Sequence, residues 1–525
     1  KLAGLVDETA LELAAKAEIR VGTCYARLGQ YAEGLEAYQR VISLFSSERQ
    51  LVEEAYLRMA DLYQEKGDWD AALQTYRQAI DQSTDRTLKA RIQYALAERL
   101  FSQERYRRAI QEYRIYLKGY GDIAGLAGFS EERVHYRIGS AYQQLGQERL
   151  ESGQDAAEWL AQGIAQYDSI LTNAASPYLL DARFNRALAL QALGTNANLE
   201  EAREEYERVI RETTDPLYIQ QSLVQLAELH FARSQYARAA ERARELLEGY
   251  ADSDFRNEAH MRLALSLQAT GELDGAVRSF LAIAEDSPYF SSARLGCGHA
   301  YLNQKRYTAA VDALEAGLQQ ADEERKAAFH YLLGQAHGGL QLYSRAIAHY
   351  TTALDYPLDG DLEETLRFSR GNTAFLAENY ALGGEDFNWV VQHVRDPEKV
   401  KFAQDALALA YLKQNRGSAA IQVLDDMVAA TESPEEQARL LSRIMDLHYE
   451  RDDYAETTRI ARRLIDLEFD DTPAAGQLYG FKEKAFFLLG DALLRQQQAE
   501  EGVAVFQQAL QRHPDSYFAL SMRLN

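Results

Sequence analysis

Four histidines, His299, His330, His337 and His349, gather in the middle of this chain. Imidazole is a common metal ligand and the side chain that titrates nearest neutral pH, so chemistry is sought there first. His330 and His337 stand seven residues apart, on one face if the segment is helical. A transition-metal site would add carboxylate or cysteine ligands at helical spacing, and none can be assigned. His337 also occupies a slot that holds tyrosine elsewhere in the chain, so we read these rings as packing or groove residues.

Other candidates dissolve in the same way. "DYPLDGDLEE" at 355–364 has the outline of a calcium loop, but proline takes the third ligand position and the closing glutamate is absent. "GYGDIAG" at 119–125 shares only its glycines with a dinucleotide fingerprint; the third is off register and no strand precedes it. Phosphate-loop, H-E-x-x-H and G-x-S-x-G patterns are missing. Cys24 and Cys297, the only cysteines, sit among small residues on predicted helices and are expected as core filler. No catalytic residue, cofactor site or metal site is assigned.

Composition narrows the partners. The 525 residues are 46% apolar and 26% charged, and 57 Lys+Arg against 80 Asp+Glu leave a net charge of −23. Such a chain buries a large core and repels nucleic acid and anionic membrane surfaces; no run of five basic residues opposes this. No apolar run approaches the 18 residues of a membrane span and no secretory signal pattern is present, so membrane insertion is not expected of this segment. Because the sequence opens on Lys1 rather than Met, we expect a processed or excised piece of a longer protein.

The elements that would position any site are written repeatedly. "GDWDAALQTYRQAI" at 67–80 returns as "GQYAEGLEAYQRVI" at 29–42, "LYSRAIAHYTTAL" at 342–354 and "AEEGVAVFQQAL" at 499–510. Around it, Ala60, Tyr63, Gly67, Trp69, Ala72, Tyr76 and Ala79 match Gly22, Tyr25, Gly29, Tyr31, Gly34, Tyr38 and Val41 one unit earlier. The spacing recurs from Ala97, Gly139, Ala187, Ala227, Ala264, Gly298, Gly334, Gly371, Ala408, Met445 and Gly490, giving about thirteen units mostly 34 to 40 residues apart. Each unit reads as helix A, a glycine or polar turn, then helix B. Helix A carries a small residue with an aromatic three on, and helix B an alanine with Tyr or Phe four on. One such hairpin cannot bury its own stripe, so units must stack. All eight prolines fall where a predicted helix B has ended, as a residue without an N–H should.

The set small–x2–Tyr…Ala–x3–Tyr/Phe–x2–Ala, with proline at the junction, resembles the tetratricopeptide repeat. The resemblance covers nearly the whole chain. It is closest in "YADSDFRNEAHMRLALSLQATGELDGAVRSFLAIAEDSP" at 250–288 and in "AFFLLGDALLRQQQAEEGVAVFQQALQRHP" at 485–514. It implies an all-α fold, an α-solenoid wound as a right-handed superhelix with helix A lining the concave side. Residues 1–118 then hold units 1–3, 119–130 a glycine-rich joint, and 131–467 units 4–12 with an insertion near 147–159. A linker and the last unit occupy 468–525. The insertion is expected to lengthen both helices of the fourth unit.

The resemblance also implies a groove for extended or helical segments of other proteins. The family's carboxylate clamp, with Lys and Asn at fixed helix A positions, is not matched: Ile19 and Thr23 stand there in the first unit, Leu57 and Asp61 in the second. Groove candidates are Tyr94, Glu98, Phe101, Tyr136, Arg137, Asn185, Gln335, Phe368, Asn372 and Phe375. Aromatics dominate interface energy while polar groups set register. The expectation is a non-catalytic protein–protein scaffold. "Y-x-D-S…A" junctions resemble those of bacterial periplasmic lipoproteins, which points to the cell envelope. The alternatives are a regulatory or substrate-binding region of a larger enzyme and a cytoplasmic assembly chaperone.

Overall fold

The computed structural model describes residues 8–358, 360–469, 471 and 480–524, and among them there is no strand. The chain divides into two compact units, Lys1–Ser266 and Leu267–Asn525.

The first unit runs α1 (Glu8–Arg27), α2 (Tyr31–Leu44), α3 (Arg49–Glu65), α4 (Trp69–Gln82), α5 (Arg86–Ser102) and α6 (Tyr106–Tyr120). A 3-10 turn (Gly121–Ile123) leads to α7 (Ala124–Ala127), α8 (Glu131–Glu151), α9 (Ala157–Leu171) and α10 (Leu179–Leu193). Then come α11 (Asn196–Glu212), α12 (Pro216–Ala232), α13 (Tyr236–Gly249) and α14 (Arg256–Ala269), within which the boundary falls.

The second unit continues with α15 (Leu273–Leu281), α16 (Phe290–Asn303), α17 (Tyr307–Leu318), α18 (Glu323–Gly339), α19 (Tyr343–Leu354), α20 (Gly360–Leu376) and α21 (Tyr380–His393). It closes with α22 (Pro397–Lys413), α23 (Gly417–Ala430), α24 (Pro434–Glu450), α25 (Tyr454–Asp466), α26 (Phe481–Arg495), α27 (Ala499–Arg512) and α28 (Ala519–Leu524).

Each hairpin closes on its small residue. A Cβ added to Gly22 would lie 2.6 Å from the Tyr38 ring, and one added to Gly139 would lie 2.7 Å from the Tyr167 ring. The helix B aromatic therefore rests directly on the helix A backbone at these glycines, where any Cβ would have to push the ring aside. Stripes of successive hairpins then merge: a single buried cluster joins Tyr56, Ala60, Tyr76, Ala97, Tyr113, Val134 and Tyr142, from α3 to α8. The same stacking carries α22 to α26 through Ala408, Leu424, Leu441, Ile460 and Leu489.

The turn between A and B is stereotyped. Eight non-glycine residues (Glu104, Ser234, Lys305, Gln341, Glu378, Asn415, Asp452 and Gln497) and five glycines (Gly29, Gly67, Gly153, Gly194 and Gly271) adopt positive φ just after a helix A. In twelve of these thirteen turns the next N–H reaches back to a carbonyl of the last helical turn, as from Asp68 to Tyr63 at 2.8 Å and from Leu342 to His337 at 2.9 Å. The left-handed residue stands seven after the small residue everywhere except the fourth repeat, where Gly153 stands fourteen after Gly139. Seven extra residues, two helical turns, thus pass into α8. Helix α9 also starts early, six residues before Gly163, where α4 starts three before Ala72.

Three prolines go further than expected: Pro216, Pro397 and Pro434 open the next helix A as its first residue, each behind an Asp or Ser cap. A missing N–H is harmless there because the first helical turn has no acceptor for it. Pro473 lies outside the described residues, as does most of the expected linker; from it, Asp471 accepts the Phe481 and Lys482 N–H groups at 2.8 and 2.9 Å and so caps α26.

The glycine-rich stretch 119–130 is not a loose connection. Ala124 and Ala127 are buried. The Tyr116 hydroxyl donates to the Phe129 carbonyl at 3.0 Å, and Arg86 grips both Asp122 oxygens at 2.7 Å. "DYPLDGDLEE" places its last five residues in the first turns of α20, so it forms no calcium loop over those residues. Cys297 is buried, its thiol pushed up to about 11 chiefly by desolvation. Cys24, expected in the core, is exposed instead, because it lies two residues round α1 from Gly22, the residue that meets α2.

Candidate protein-binding faces

In the first unit the helix A candidates cluster, but largely around one another. Tyr94 is 2% exposed and cannot line a groove. The ring of Phe129, delivered by the glycine-rich stretch, stacks on it at 3.9 Å. Burial, followed by the neighbouring Glu98 carboxylate, raises the Tyr94 hydroxyl above its usual range. Glu98 accepts from the Tyr113 hydroxyl and is held by Arg137, Nε at 2.9 Å and Nη2 at 2.6 Å. The same guanidinium covers Phe101 at 4.9 Å from its ring centre. Tyr136 stacks against Tyr178, and burial raises its hydroxyl too. Asn185 donates to the Asp181 carbonyl at 2.8 Å and to the Tyr136 hydroxyl at 3.4 Å, so its amide is already engaged.

Composition analysis missed a ladder of acid–base pairs linking successive helices A. Glu53 meets Arg91 at 3.7 Å, Asp61 meets Arg99 at 2.9 Å and Glu98 meets Arg137 at 2.6 Å. In the second unit Glu364 pairs with Lys399, Asp405 with Arg443 at 2.8 Å, and Asp446 with Lys484. Burial raises the Glu53, Asp61 and Asp446 carboxyls despite their cationic partners. Opposite charges recurring at the repeat length were the signal; a search confined to one helix does not see them.

The second unit has a different helix A surface. Gln335 spends its amide on the Tyr331 hydroxyl at 2.6 Å. Phe375 packs edge-on against Phe387 and Tyr380, both at 5.5 Å, and is half-buried. Phe368 is half-buried too, edge-on to Phe387 and 6.0 Å from the ring of Phe402 on α22. Asn372, one turn beyond Phe368, is exposed. Phe402 is 51% exposed, Leu409, two turns along the same face, 41%, and Leu376 64%. Leu409 holds in its repeat the slot of Asn372, one residue after the small residue, so alignment of the repeats would have found it.

Charge around this surface is already matched. Asp386 is fully buried and takes Arg370 through Nε at 2.9 Å and Nη2 at 2.7 Å, with Arg367 at 3.3 Å. Lys399 and Asp405 belong to the ladder. The apolar and amide groups that α20 and α22 offer outward are thus two aromatic rings, two leucines and Asn372, with the exposed Glu398, Lys401 and Lys413 elsewhere on α22.

Among the described residues no group of three or more His, Cys, Asp or Glu could hold a metal ion, and no helix is long and apolar enough to cross a membrane.

Models of the tetratricopeptide repeat match residues 13–82, 51–120, 224–290, 261–324, 295–361 and 484–516. Among solved structures, a tetratricopeptide repeat protein from Parabacteroides merdae is 14% identical over 51% of this chain and 98% of that one, with a TM-score of 0.34. The Cut9–Hcn1 hetero-tetramer of the APC/C is 14% identical over 97% and 95%, with a TM-score of 0.28. A MamA RS-1 double mutant is 21% identical over 34% and 94%, with a TM-score of 0.30. No curated relative matches the chain.

Proposed function

We propose that this chain, which belongs to the tetratricopeptide repeat superfamily, is a non-catalytic scaffold that holds segments of other proteins on its helix A faces. The observation that carries the reading is the outward apolar surface of α20 and α22: Phe402 is half-exposed beside Phe368, with Leu409 and Leu376 also open and the surrounding charges paired. Exposed apolar clusters of this kind mark protein contacts, and Phe and Leu side chains bury about 1.5–3 kcal/mol each when covered. The ladder of paired charges in the first unit supplies a rigid, polar face whose charges orient rather than anchor a partner.

Chemical cross-linking and mass spectrometry in native cells tests this. Partners should cross-link to lysines flanking α20 and α22, and Phe402→Glu combined with Leu409→Glu should abolish those cross-links without lowering thermal stability. Unchanged cross-links in the double variant would overturn the placement of the site.

We further propose that the scaffold organises a bacterial cell-envelope complex. Support comes from "YADSDFRNEA" at 250–259, whose junction resembles those of envelope repeat lipoproteins. Recovery of the native protein in the soluble cytoplasm after gentle fractionation would refute this compartment.

A further inference from the structure

Three histidines converge where α18 meets α19. The Nδ1 atoms of His330 and His349 face one another at 3.0 Å. The rings of His337 and His349 are nearly parallel, 8° apart in plane with centres 5.1 Å apart. His337 is 4% exposed, and its Nδ1 has no hydrogen-bond partner. His330 also stacks on Tyr356, just beyond α19.

This arrangement tolerates only neutral or singly protonated rings. In the neutral pair one Nδ1–H donates to the lone pair of the other. A first extra proton can sit on an outer nitrogen and leave that bond in place. A second one turns the contact into N–H against N–H and sets two cations side by side. The charged groups around the rings do not relieve this. Lys326 on α18 acts on His330, and Arg345 on α19 acts on His337 and His349. Glu315, from α17, opposes them at His337 alone. On α20, Arg370 reaches Thr351 of α19 but is neutralised by Asp386. Among the described residues no charged group of α16 is an electrostatic partner of the three rings.

We propose that His330, His337 and His349 form a pH-sensitive latch that closes the α18–α19 hairpin near neutral pH and loosens it in mild acid. This goes beyond the scaffold reading and does not depend on it. Burial comes first in lowering all three imidazoles; Lys326 follows at His330 and Arg345 at His337, while at His349 the other two rings come next and then Arg345, and it falls to about 4. A base held below its free value near 6.5 binds protons better when the hairpin opens. The closing contribution is therefore complete above pH 6.5 and is lost as pH falls from there toward 4. Tyr331 and Gln335 lie on α18 between His330 and His337, so opening also dismantles that part of the helix A face.

Hydrogen exchange on the full chain tests the latch. From pH 7.0 to 5.5, after correction for intrinsic rates, each ring kept neutral when closed raises the opening constant about 8-fold, and two raise it about 70-fold. Amides of α18 and α19 should show the larger rise, while the histidine-free α5–α6 hairpin stays flat. His349→Phe should reduce the rise to below about 10-fold. His330→Gln, at a half-buried position, should do the same if the first variant fails to fold. Equal pH dependence in the two hairpins, or an undiminished rise in the folded variants, would overturn the latch.

Discussion

Arg137 on α8 grips Glu98 on α5 with two nitrogens, 2.9 and 2.6 Å from the two carboxylate oxygens, and so ties the helix A of one repeat to that of the next. The side chains are 31% and 24% exposed, and a fork geometry of this kind makes the strongest class of surface pair. Glu98→Gln should cost about 1 kcal/mol in stability, and a double-mutant cycle with Arg137→Met should recover a coupling of similar size. Denaturant midpoints of the four proteins measure it. A coupling indistinguishable from zero would mean the ladder is decorative.

Ala72 sits in the seam where α4 meets its neighbours, 1% exposed. Ala72→Arg should force an unpaired charge into that seam and unfold the local repeats, lowering the stability of the first unit by more than about 3 kcal/mol. Circular dichroism melts check this; an unchanged melting temperature would contradict the packing around Ala72.

Gln341 occupies the left-handed turn after α18 with φ of 61°, a conformation that taxes a side chain bearing a Cβ. Gln341→Gly should stabilise the protein by up to about 1 kcal/mol, less whatever freedom glycine adds to the unfolded chain. Gly29→Ala, at φ 71° in the equivalent turn, should move stability the other way by a similar amount. Thermal or denaturant unfolding reads both; a loss of stability in Gln341→Gly would show that the strain is illusory.

Much of the molecule is legible from spacing. The small residue that admits Tyr38 or Tyr167, the turn that follows seven residues later in every repeat but the fourth, and the proline at the junction between repeats are all local, and each repeats often enough for its meaning to be read without coordinates. The proposed binding faces are less legible. Phe368, Phe375 and Asn372 lie on α20, yet Phe375 is largely absorbed by Phe387 and Tyr380, and of the amides Asn185, Gln335 and Asn372 only the last is exposed. Phe402 and Leu409, the more exposed apolar groups, passed unnoticed because nothing within their own helix marks them as unpaired.

Sequence by itself determined that this chain is a stack of helical hairpins, because periods of three to four residues and of one repeat are set by covalent geometry and by which side chains fit between touching backbones. Tertiary structure alone decided which helix A side chains stay available. Phe129 comes from 35 residues away to cover Tyr94, Arg137 from the next repeat to cover Phe101, and Asp386 to silence Arg370, while Phe368 and Phe387 leave half of Phe402 open. Exposure is a property of neighbours distant in the chain, and a helix read alone has none.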